Sequence, residues 1–168
     1  WQSGRALCRE CEGALEALPE LHCARCGLPL PYGGAACYDC RGRKAAAALD
    51  LARSAYVFTP ELRSLVHAFK YSGMESLAGP LSEAMAAALD RFPELAGYKF
   101  VLAVPLHPAK LKERGFNQSE LLARRLAAAR RLFPLEGAAA RGRDTKPQVS
   151  LSKEQRAANM KGAFKITR

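Results

Sequence analysis

The chain reads as an α/β fold, a mainly parallel sheet with flanking helices, preceded by a small cysteine-rich module. Three observations predict this. Short apolar runs of β-forming residues alternate with segments whose apolar residues recur at helical spacing. One such run, Lys99-Phe100-Val101-Leu102-Ala103-Val104-Pro105, is bounded by proline and nearly uncharged, as a buried parallel strand should be. All six cysteines fall in the first 40 residues and none occurs later. A chain of 168 residues, 49% hydrophobic, can bury one real core, and a small module beside it must be held together by other means. The expected division is a Cys-rich module over 1–44 and an α/β domain over 45–168.

The cysteines form three C-x-x-C pairs: Cys8/Cys11, Cys23/Cys26 and Cys37/Cys40. The amino terminus lacks the basic-then-apolar order of an export signal, so an oxidising compartment for three disulfides is not indicated. No uncharged apolar run is long enough to cross a bilayer, so no membrane is expected and the cytoplasm is the default compartment. A two-residue spacing is instead the habit of metal ligands. Each C-x-x-C turn sets two thiolates on one side of a backbone knuckle, and two knuckles close a tetrahedron around Zn²⁺. Cys23, Cys26, Cys37 and Cys40 enclose ten residues, which suits a zinc-ribbon hairpin, and Gly27 lets the first knuckle fold tightly under the metal. Four thiolates leave no position open for water, so the zinc is structural. Cys8 and Cys11 are left over. They need a further pair upstream for a second zinc, or join Cys23 and Cys26 and leave the last pair idle, or form a redox pair.

Beyond a basic and then Ala-rich linker, Arg41 to Ala48, a strand is expected at 50–58 with Ala52, Ser54, Tyr56 and Phe58 on one face. Thr59-Pro60-Glu61 opens a helix with a hydroxyl N-cap, a proline at the first position and an acid in the first turn. Leu62, Leu65, Val66 and Phe69 carry its apolar stripe to Ser72-Gly73, and His67 and Lys70 are expected at the surface. Leu77, Leu81, Met85 and Leu89 mark the next helix. After the 99–105 strand, Asn117 with Glu120 makes a capping-box pattern ahead of Leu122, Leu126, Ala129 and Phe133. Ser152 and Gln155 make another, and 163–167 reads as a strand.

Net charge is +10 and unevenly placed: residues 1–104 carry 11 Lys/Arg and 11 Asp/Glu, whereas 105–168 carry 15 and 5. The excess is either a solvated basic surface or the imprint of an anionic partner, a phosphorylated small molecule or nucleic acid. For single-stranded DNA, Arg124, Arg125, Arg130 and Arg131 are the candidate phosphate contacts, with Tyr32, Tyr38 or Phe116 stacking on bases.

In a parallel sheet the ligand sits beyond the carboxyl ends of the strands, so the loop after Val104 is where a site belongs. That loop holds Pro105-Leu106-His107-Pro108, Lys110, Lys112 and Arg114-Gly115-Phe116-Asn117-Gln118. The pattern resembles the ComF family, in which a strand ending in V-P leads through a basic loop to R-G-F-N-Q at a helix start. Phe69-Lys70-Tyr71-Ser72-Gly73 is similar to the family's F-K-Y-x-G, and Thr145, Gln148, Arg156, Asn159 and Phe164 follow in the family's order. With the cysteine knuckles, the resemblance covers nearly the whole chain.

The resemblance implies a type I phosphoribosyltransferase-like domain, closest to the amidophosphoribosyl group, in a protein of DNA uptake and natural transformation. The implied ligand is phosphoribosyl pyrophosphate or a related sugar phosphate, with Mg²⁺ bridging its diphosphate. Val104, Pro105, Leu106, Lys110, Arg114, Gly115, Asn117 and Gln118 would form the pyrophosphate side of the site. The segment Arg141-Gly142-Arg143-Asp144-Thr145-Lys146 is a candidate closing lid. No catalytic residue is assigned, and transferase activity rests on resemblance alone. A helicase-type competence protein docking on the ribbon is a further candidate partner. In the family, a strand after F-K-I leads to an acidic pair and a Thr/Gly-rich loop that grips the ribose 5-phosphate. This chain ends at Arg168 before such a loop, and it is expected to be a portion of a longer protein that lacks the extreme amino terminus and that loop. On its own, it is then expected to bind phosphoribosyl pyrophosphate poorly and turn over nothing.

Overall fold

The computed structural model describes residues 6–32, 34–41 and 50–167. From residue 42 on, the expected linker lies outside them. Two short helices belong to the cysteine module: α1 (Arg9–Gly13), whose N-cap is Cys8, and α2 (Tyr38–Arg41). Residues 50–58, expected as a strand of the sheet, lie extended against the module instead, and a single bridge pairs Tyr56 with Ala17. The alternating pattern does report extended backbone, but the hydrogen bonds go elsewhere. Ala52 N–H donates to the Arg25 carbonyl (2.6 Å), Leu18 N–H to Ala55 (3.2 Å) and Val57 N–H to Glu16 (2.8 Å).

Helix α3 (Pro60–Tyr71) begins where its capping residues predict, with the Thr59 hydroxyl accepting from Leu62 N–H and Pro60 in the first turn. A single 3₁₀ turn leads into α4 (Ala78–Arg91). The buried face of α4 is Ala78, Ser82 and Ala86, small enough to let α6 (Gln118–Arg130) approach through Ala123, Leu126 and Ala127. Between them run β1 (Phe100–Val101) and α5 (Pro108–Arg114). Gly115 ends α5 at φ +83°, a left-handed cap that costs a glycine little. The innermost residues are Phe69, Leu77 and Ala78, enclosed by Leu65, Leu81, Phe116, Leu121 and Leu122. Ala6 and Leu7, just ahead of Cys8, pack on the same cluster.

Among the described residues the strands form two small sheets. Strand β1 pairs in parallel with β2 (Phe133–Pro134), whereas β3 (Ala139–Arg141) pairs antiparallel with β4 (Phe164–Ile166). The architecture is mixed helix and strand, and a larger, mainly parallel sheet is not formed by these residues. Phe133, expected on the inward face of α6, lies in β2 with its ring 5.8 Å from Phe100, and both rings are over 60% exposed. The helix stops sooner because Arg131 takes a left-handed conformation, φ 54°. Ser152 and Gln155 do form the expected capping box at the start of α7 (Lys153–Met160). Asn117 caps α6, but its side-chain amide oxygen Oδ1 takes Ser119 N–H, and Glu120 turns to Arg124 rather than back to the cap.

Candidate metal centre and ligand cleft

The two knuckles bring Cys23, Cys26, Cys37 and Cys40 together, with all four Sγ atoms within 4.8 Å of one another. Cys26 and Cys37 sulfurs lie 3.7 Å apart. Zinc–thiolate bonds of about 2.3 Å give a tetrahedron with edges of about 3.8 Å, so the donor set fits a four-thiolate zinc. Cys23 and Cys37 are buried, at 0% and 6% exposure. The packing of the four thiols pulls two of their pKa values apart. The Cys26 backbone amide, the largest influence, draws the Cys23 thiol down to about 6. Burial, and then the neighbouring sulfurs, push Cys40 up to about 12. Crowded thiols without a counter-charge cannot all ionise, and a divalent cation removes that conflict. Cys8 and Cys11 stand outside the cluster and are exposed, with the Cys8 sulfur accepting from the Cys11 amide at 3.4 Å.

Gly27 serves the knuckle and a second purpose. It holds φ +70°, and a Cβ there would lie 2.8 Å from the Ala52 carbonyl oxygen. Beside that contact Arg53, with only 7% of its side chain exposed, donates to the Ala24 carbonyl (2.8 Å) inside the knuckle and to Glu94 Oε1 (2.6 Å) beyond α4. Phe92 takes the guanidiniums of Arg53 and Arg91 on its ring at 5.5 and 4.8 Å, and meets His22 edge-on. The cysteine knuckle is thus tied into the helical part through the largely buried Arg53 side chain. Sequence reasoning missed this joint. The only signal was an arginine in an otherwise apolar extended run.

A second site lies at the carboxyl ends of β1 and β2. Val101, Leu102, Leu106, Leu111, Pro134 and Leu135 wall a cleft of about 320 Å³, with Asn117, Glu120, Arg124 and Glu136 on its polar rim. Of the residues expected at a pyrophosphate loop, Pro105, Leu106 and Asn117 line this cleft. Val104 offers its carbonyl to the Asn117 amide at 3.3 Å. Lys110 is ion-paired with Glu113 at 2.6 Å. Arg114 and Gln118 face the other way, toward α3, where Arg114 donates to Gln118 Oε1 (3.0 Å) and to the Tyr71 hydroxyl (3.2 Å).

Two of the four candidate DNA-contacting arginines are engaged by carboxylates. Arg124 bridges Glu120 and Glu136 at 2.7 and 3.0 Å, and Arg130 pairs with Asp90 of α4. Arg125 and Arg131 have no carboxylate partner among the described residues. Phe116, a candidate for stacking, packs on Phe69 at 5.7 Å, while Tyr32 and Tyr38 are 82% and 94% exposed. The expected lid is tied down at several points. Arg141 donates to Thr145, Arg143 to the Asn159 carbonyl, Asn159 to the Lys146 carbonyl and Arg156 to that of Gln148. The residues of that resemblance segment therefore hold one another.

Together these define a module whose four clustered cysteines could hold a metal ion, joined to a mixed helix and strand part with a cleft at its strand ends. Among known proteins, the chain is 28% identical over 163 residues to the DNA utilization protein YhgH of Escherichia coli K12, covering 95% of this chain and 70% of that one. It is 29% identical over 163 residues to the protein of that name in Salmonella typhimurium LT2, with the same coverage. It is 25% identical to competence protein F of Haemophilus influenzae, covering 95% of this chain and 69% of the relative. No family model matches, and no solved structure matches. No helix among the described residues is long and apolar enough to cross a membrane.

Proposed function

We propose that this chain acts in the use or uptake of DNA as a ComF-like protein whose helical part binds phosphoribosyl pyrophosphate, or a related sugar phosphate, beside a structural zinc module. The observation that carries the ligand reading is the cleft itself. It forms where β1 and β2 end, beneath the V-P loop and the first turns of α6, which is where an open α/β arrangement offers loop amides to a phosphorylated ligand. The names of the relatives support the DNA context. The rim carries Glu120 and Glu136 around Arg124, so a diphosphate would enter with its charge already neutralised by Mg²⁺.

Calorimetry tests this on a chain extended past Arg168 by the strand and ligand loop that the resemblance implies. Phosphoribosyl pyrophosphate with Mg²⁺ should bind saturably, and Asn117→Ala, which frees the Val104 carbonyl, should weaken binding by about tenfold. Equal heats with and without Mg²⁺, or unchanged affinity in Asn117→Ala, would reject the reading.

A further inference from the structure

The walls of the strand-end cleft are apolar: Leu102, Leu106, Leu111, Pro134 and Leu135 stand around about 320 Å³. A sugar phosphate carries hydroxyls or phosphate oxygens on every side and gains little from such walls, whereas a flat heteroaromatic ring buries its faces against them. Small organic ligands are held in this way, by an apolar slot with a few placed polar groups. Here those groups carry an excess of negative charge. Glu120 stands in the first turn of α6, and Glu136 in the turn between β2 and β3. Arg124 is the one cation among the described residues lining the cleft, and the two carboxylates share it. Its Nη2 donates to Glu120 Oε1 (2.7 Å) and its Nε to Glu136 Oε1 (3.0 Å). Asn117 is already engaged, donating to the Val104 carbonyl and accepting from Ser119 N–H. The turn that carries Glu136 is fixed as well, with Ala138 N–H donating to the Leu135 carbonyl (3.4 Å) and Thr167 N–H to that of Ala138 (3.0 Å). An anion entering here meets repulsion. A neutral group with N–H donors meets two charged acceptors.

We propose that this cleft takes a nucleobase-type ring bearing an exocyclic amino group, held against Leu106, Leu111, Pro134 and Leu135, with its amino N–H groups donated to Glu120 and Glu136. The two glutamates are then the specificity-determining residues. Cytosine and adenine offer them an amino group, whereas uracil and hypoxanthine place a carbonyl oxygen at the corresponding position and would set oxygen against carboxylate. An acceptor left facing another acceptor in a water-poor slot loses the hydrogen bond and keeps the desolvation cost. The inference rests on the strand-end cleft being the ligand site of the proposed function, and it assigns the part of the ligand that lies away from the phosphates.

The test is calorimetric titration of nucleosides into the zinc-loaded 168-residue chain, cytidine against uridine and adenosine against inosine, with the Leu106 and Leu135 methyl resonances followed by NMR. Within each pair the amino-bearing member should bind at least about tenfold more tightly, the scale of one hydrogen bond to a charged group, and should move both methyl resonances. A Glu120→Ala, Glu136→Ala double variant should lose the preference and keep the wild-type circular dichroism, since the two side chains lie at the rim, 43% and 58% exposed. The wild-type comparison stands without the variant. Nucleosides carry no phosphate, so their binding does not depend on whether phosphoribosyl pyrophosphate binds, and failure of either reading is seen by itself. Equal affinity within either pair, unmoved methyl resonances, or a preference that survives in the folded double variant would overturn the proposal.

Discussion

The cysteine module and the helical part solve the same problem with different means. Among the described residues between 6 and 41 the buried apolar side chains are Leu18, Cys23 and Cys37, so two of the three belong to the four-cysteine cluster, and that cluster is the module's interior. In the helical part, Leu77 and Phe69 are 1% and 2% exposed, and α4 and α6 meet through alanines. With a metal on the four thiols, one region would be held by ligand bonds, whereas the other is held by apolar burial. The difference teaches that a small module can be rigid without a core of its own. Its rigidity is then lent to a neighbour through joints such as Gly27 with Ala52 and Arg53 with Ala24.

The comparison predicts unequal responses to damage. Cys26→Ser, or a strong chelator, should have the largest effect: the module loses its fold while α4 and α6 stay folded, seen as loss of backbone amide dispersion for 16–40 but not for the two helices. The 50–57 strap should loosen with it, because its amide and carbonyl partners are Arg25, Leu18 and Glu16. Leu77→Ala should do the reverse, lowering global stability by about 2–5 kcal/mol in denaturant titration while the protein still retains metal. Arg53→Ala strikes the joint between them and should cost about 0.5–1.5 kcal/mol, because the Ala24 and Ala52 carbonyls lose a donor.

The pH response at the joint should be smaller. Glu94 is held below the ordinary glutamate value of 4.5, first by backbone amide contact and then by Arg53. A depressed carboxylate contributes stability that is present above that ordinary value and fades as pH falls through the lower folded one. Acid below about pH 4.5 should therefore loosen the joint in wild type, and Glu94→Gln should flatten that limb of the stability profile. The smallest effect concerns DNA. Any salt-dependent binding of single strands should drop more in the Arg125→Ala, Arg131→Ala double variant than in Arg124→Ala, Arg130→Ala, since the latter pair already engage carboxylates. Equal losses would mean that those ion pairs open on binding.

What the sequence made legible was local. Thr59-Pro60 starts α3, Ser152 and Gln155 close a box, and C-x-x-C spacing marks each cysteine knuckle, because each signal involves neighbours along the chain; which two knuckles meet is set by the fold. The pairing of strands was not legible. Residues 50–58 show an extended pattern but nothing that names their partner, and the partner is the cysteine module. Asn117 and Glu120 have the spacing of a box, yet Glu120 goes to Arg124, a competing cation one turn on. Arg114 and Tyr71 meet across 43 residues, a contact that no local rule contains.

The central claim, that the zinc knuckle holds both the module and its joint to the helical part, is tested most directly by amide hydrogen exchange with and without chelation, alongside metal analysis. One zinc should bind to Cys23, Cys26, Cys37 and Cys40, and its removal should cost protection at the Leu18, Cys23, Ala52 and Val57 amides while α4 and α6 amides stay unchanged. Protection that survives at Ala52 and Val57 after the metal is gone would contradict it.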